Sequence, residues 1–82
     1  MKVRIIAPDK IIYKGEAVSL NVPGESGELT VLDLHRPLLT SLKAGQIRLK
    51  DNQNQDHCFD IDSGILEVRK KRVNILLSPF NF

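Results

Sequence analysis

AVSLNVPGESGE, residues 17–28, is an alternating run that ends in a glycine-bounded turn. Successive side chains of a strand point to opposite sides, so Val18, Leu20 and Val22 are expected on one face and Ala17, Ser19 and Asn21 on the other. Pro23-Gly24-Glu25-Ser26-Gly27 then reads as a hairpin turn rather than a phosphate loop. It lacks the Lys-Ser/Thr pair of a P-loop and the G-x-G-x-x-G spacing, and no helix follows to supply free N–H groups. Glu25 and Glu28 would also repel a phosphate.

The same period recurs further along the chain. QIRLK (46–50) sets Ile47 and Leu49 against Gln46, Arg48 and Lys50. DHCFDID (56–62) sets Phe59 and Ile61 against Asp60 and Asp62, and RVNILLS (72–78) sets Val73, Ile75 and Leu77 against Arg72, Asn74 and Leu76. Turn signals separate these runs at Ala7–Lys10, Pro23–Gly27, Lys43–Gly45, Asp51–Asn54, Asp62–Gly64 and Lys70-Lys71. One wet face and one buried face mark antiparallel strands packed as a sandwich. The fold class is therefore all-β: a single small β-sandwich or flattened barrel of about 8–10 short, mostly antiparallel strands. Gly15, within KIIYKGEAV, is expected to mark a bulge or kink where one long strand bends between sheets.

Eighty-two residues, 1–82, hold one domain with no room for a second core. A hydrophobic content of 41% with 27% charged residues fits neither disorder nor a membrane span. The opening MKVRIIAPDK has too few consecutive apolar residues for a signal peptide, and a lone Cys58 excludes an intramolecular disulfide. Both point to the cytosolic side. The net charge of +2 is too small to imply a polyanion partner without a concentrated patch. The one tight cluster, Arg69-Lys70-Lys71-Arg72, falls in an expected turn between the last two strands. It keeps a small nucleic-acid-binding β-barrel as the alternative reading, weakened by the single tyrosine, Tyr13, and the lack of tryptophan for base stacking.

No constellation carries chemistry. His57 and Cys58 are neighbours in a strand and point to opposite faces. No nucleophile elbow or oxyanion loop accompanies His35 and Ser41 or Ser63. Asp60 and Asp62 share a face but lack the third ligand a metal needs. The chain is read as no enzyme, with no catalytic, cofactor or metal site. What stands out is LHRPLLTSL (34–42), an apolar, proline-containing segment with a positive shoulder, which suits docking to another protein.

The order of these pieces resembles the N-terminal β-domain of the epsilon subunit of F-type ATP synthase, called delta in mitochondria. The segments are APDKIIYKGE (7–16), VSLNVPGESGE (18–28), TVLDLHRPLLTSLKAG (30–45), DSGILEV (62–68) and VNIL (73–76). Thr30, Asp33, Ala44 and Asp62-Ser63 depart from the family pattern without removing a residue of chemical role. Family members continue into a two-helix hairpin; the chain ends at SPFNF (78–82), so no C-terminal helical domain, and none of its ATP-binding or inhibitory roles, is expected. The resemblance implies a non-catalytic central-stalk subunit, docked on the gamma subunit and the c-ring to couple ion-driven rotation to ATP synthesis. It implies membrane association only through that complex, on the cytoplasmic side of the inner (plasma) membrane, and no nucleic-acid partner. Glu28, His35, Arg36, Pro37, Leu38 and Leu39 match the segments that face those partners.

Overall fold

The turns decide where the strands begin. In the computed structural model, which describes residues 1–33 and 36–78, each turn signal falls between two strands. The described residues form β1 (Lys2–Ala7), β2 (Lys10–Gly24), β3 (Gly27–Leu32), β4 (Leu38–Leu42), β5 (Gly45–Asp51), β6 (Asp56–Ile61), β7 (Gly64–Val68) and β8 (Arg72–Leu77). They hydrogen-bond in the order β1-β8-β7-β4-β2-β5-β6, with β3 added on β2 and β1 also paired to β2. The sheet thus closes on itself, and the fold is the all-β sandwich the alternation implies. Only the β1–β8 pairing is parallel; the other described pairings are antiparallel.

Inward residues from both halves of the sheet meet in one core. Val3, Ile5, Val73, Ile75 and Leu66 come from one side, Leu20, Val22, Ile47 and Leu49 from the other, and all are buried. Removing this apolar area from water is the main favourable contribution to folding. At the margin of the core, Tyr13 packs against His57 and Phe59, with ring centroids 5.2 and 5.9 Å apart. Burial, then the charges of Asp51 and Glu16, raise the pKa of the Tyr13 hydroxyl.

Two details differ from the sequence reading. Ala17 lies opposite Asp51 and Ser19 opposite Lys50, which leaves Val18 as the extra residue of a bulge. A bulge breaks the two-residue period, so Ala17 turns inward while Val18 is 42% exposed. Leu20 and Val22 keep their expected inward face. Gly15 itself pairs regularly with Val3; the other irregularity leaves out Ile12, between the pairs Ile5–Tyr13 and Ile6–Ile11. The long strand β2 is therefore broken on either side of Gly15. It pairs with β1 through its first half and with β3 and β5 through its second.

Candidate docking surface

Glu28 is placed by the tightness of the β2–β3 turn. Gly24 pairs with Gly27 across it, and Pro23 with Glu28. A side chain at position 24 would stand 2.7 Å from the Gly27 carbonyl oxygen, so only glycine fits. Gly27 has φ 135°, a region L side chains rarely adopt. The hairpin is then tied to the end of β4: the Glu25 N–H donates to the Ser41 carbonyl at 3.0 Å, and the Lys43 N–H to the Pro23 carbonyl at 2.9 Å. Gly24 also pairs with Leu42.

This tethering brings together groups that are far apart in sequence. Glu28 and Leu38, with Gly24, Leu29 and Thr40, line one shallow hollow of about 190 Å³. Glu28 is exposed and takes part in no ion pair among the described residues. Leu29 lies outside the segment 34–42 that stands out in the sequence, because nothing local marks two strands that meet only through a hairpin tip.

The remaining expected residues are spread differently. Arg36 and Pro37 are exposed in the irregular lead-in to β4. Leu39 lies opposite Glu67, and Leu38 opposite the buried Val68. Adjacent strand residues point to opposite faces, so the two leucines do not share a surface. Leu38, 42% exposed, turns to the hollow; Leu39, at 71% the most exposed large apolar side chain described, stands on the outer face. His35 lies outside the described residues.

Other chemistry weighed from the sequence finds little company. His57 is half-buried and Cys58 exposed, on opposite faces of β6. The His57 Nε2 lies 2.9 Å from the Asp51 carboxylate, which also accepts from the N–H groups of Gln53 and Gln55 at 2.8 and 2.9 Å. Those contacts hold the β5–β6 turn. Asp60 and Asp62 are exposed, and among the described residues no three metal-ligating side chains gather. Of the basic residues 69–72, the first three connect β7 to β8 and Arg72 opens β8, with an Arg69 N–H to Arg72 carbonyl bond of 2.8 Å across the turn.

Comparison with known proteins gives the geometry its context. Residues 1–80 match the family described as "ATP synthase, Delta/Epsilon chain, beta-sandwich domain". The ATP synthase epsilon chain of Dichelobacter nodosus is 37% identical over 75 residues, which span 92% of this chain and 52% of that protein. That of Sulfurimonas denitrificans is 39% identical over 77 residues, 94% of this chain and 59% of that one. The chain thus spans little more than half the length of these curated relatives. Among solved structures, a chain of the Euglena gracilis mitochondrial ATP synthase (OSCP/F1/c-ring) superposes with a TM-score of 0.85 at 21% identity, covering 92% of this chain and 48% of that one. A chain from the central stalk/c-ring of the Tetrahymena thermophila enzyme gives 0.76 at 17% identity, covering 94% and 62%. At such identities the likeness speaks for the fold alone.

Proposed function

The chain belongs to the β-sandwich family of ATP synthase delta and epsilon chains, and on that premise we propose that it is a non-catalytic rotor subunit of an F-type ATP synthase. In this reading it docks on the gamma subunit and the c-ring, helps couple ion-driven rotation to ATP synthesis, and reaches the membrane, on its cytoplasmic side, only through the complex. Glu28, His35, Arg36, Pro37, Leu38 and Leu39 make the contact. The observation that carries the assignment is the family match over residues 1–80; the choice of docking face is supported by the hollow that Glu28 and Leu38 line together. An exposed, unpaired carboxylate next to an apolar side chain suits an interface whose partner loop brings a basic group. His35 serves there as a hydrogen-bonding contact, with an imidazole able to donate and accept across a wet interface. Arg36 and Pro37 shape the approach, and Leu39 contacts the partner on the other face of β4.

Replacing Glu28 and His35 together by alanine tests the site. The expected result is an unchanged far-ultraviolet circular dichroism spectrum with weakened co-purification with gamma. Unchanged co-purification would remove the site assignment while leaving the family intact.

A further inference from the structure

Away from the hollow, a second concavity opens on the outer face of β1, β2 and β8. It encloses about 450 Å³ and is lined by Lys2, Val3, Arg4, Lys14, Gly15, Glu16 and Arg72. Its residues share nothing with the Glu28 hollow. The sheet register explains its charge. Arg4 lies directly opposite Lys14, and Lys2 directly opposite Arg72. Directly opposed side chains of an antiparallel pair, such as Arg4 and Lys14, stand roughly 4.5–5.5 Å apart at Cβ, and like charges there are destabilising; Lys2 and Arg72 are neighbours across the parallel pairing. The cleft therefore contains two like-charge pairs side by side.

One carboxylate stands among them. Glu16, the single carboxylate of the lining, lies directly opposite Lys2 across the β1–β2 ladder and 3.6 Å from the Met1 amine. Lys2, Arg4, Lys14 and Arg72 therefore face one negative charge that the N-terminus shares. Arg4 donates from Nε to the neutral Asn74 Oδ1 at 3.3 Å, and Asn74 in turn donates to Glu67 at 3.1 Å. Glu67 also accepts from Arg69, at 3.1 Å. Lys2, Arg4, Lys14 and Arg72 take part in no ion pair among the described residues. The Lys2 N–H reaches the Lys71 carbonyl at 3.5 Å, so the basic β7–β8 turn borders the same end of the cleft.

We propose that this cleft, through Lys2, Arg4, Lys14 and Arg72, binds the phosphate chain of a small phosphorylated molecule. Three observations select that class. The volume falls within the roughly 300–1,000 Å³ of small-molecule sites, and a concavity suits a compact ligand better than a flat membrane. Two opposed cation pairs call for a ligand with several negative charges close together, which a condensed phosphate chain supplies and a single carboxylate does not. No aromatic ring lines the cleft, so it offers no stacking platform for a nucleobase or single-stranded nucleic acid.

The test is titration of the full chain with inorganic tripolyphosphate at low ionic strength, followed by calorimetry and by amide chemical shifts. The expected result is saturable one-to-one binding with shifts confined to β1, β2 and β8. Lys14→Glu and Arg72→Glu, both exposed, should each weaken it by roughly tenfold or more, since each removes a hydrogen bond to a charged group. Lys43→Glu, far from the cleft in the sheet, controls for diffuse charge, and thermal melts of all three variants confirm folding. Absence of saturable binding, or equal weakening by Lys43→Glu, would overturn the proposal. So would binding to vesicles of anionic phospholipid without binding of tripolyphosphate in solution, which would assign the basic face to a lipid surface.

Discussion

Val18 and Leu20 stand two positions apart on β2 and look equivalent by periodicity, yet only Leu20 is enclosed. Leu20 has 0% of its surface exposed, so Leu20→Ala removes methyl groups from the middle of the core. The expected loss is roughly 2–5 kcal/mol by chemical denaturation. Val18→Ala, on the bulge, should stay within roughly 0.5 kcal/mol, as surface changes do. Equal losses at the two positions would show that the bulge is misplaced and that Val18 faces inward. The same residue-by-residue logic separates Leu38 from Leu39. As a consecutive pair in the sequence they read as one apolar patch, but the strand sends them to opposite faces.

At the scale of the element, the β5–β6 turn depends on one carboxylate. The bond to His57, followed by the N–H of Gln55, holds the Asp51 carboxyl below its ordinary 3.8. A carboxylate with a lower pKa in the folded than in the unfolded chain adds stability that is present above the unfolded value and lost as pH falls through the folded one. Asp51→Asn keeps an oxygen that can accept from Gln53 and Gln55 but removes the charge. Its Tm is expected to lie below that of the unaltered chain at neutral pH, with the gap closing as pH falls below 3.8. Circular dichroism melts across that range check it. A gap that persists unchanged into acid would mean that oxygen geometry, not charge, holds the turn. Elements also show where local patterning loses its reach. The alternation of Ile47 with Arg48 or of Val73 with Asn74 is legible because each strand has one wet and one buried face. The breaks at Ile12 and Val18 are not, because a bulge is set by the partner strand rather than by its own residues.

For the molecule as a whole, the fold class and the turn positions follow from local sequence, and the family from the order of motifs along the chain. What local sequence does not contain is which distant residues meet. The hairpin signal around Gly24 and Gly27 is legible in the sequence, but not its tether to Ser41 and Lys43, so only the structure shows that Glu28 and Leu38 line one hollow. The basic cleft shows the same limit more strongly. The run 69–72 stands out in sequence, whereas Lys2, Arg4 and Lys14 join Arg72 only through the parallel β1–β8 pairing and the β1–β2 ladder. The central proposal is that the domain docks on the gamma subunit. The most direct measurement is size-exclusion chromatography of the purified chain mixed with the gamma subunit. Co-elution in a one-to-one complex at micromolar concentration is the predicted result; separate elution of the two proteins at that concentration would contradict it.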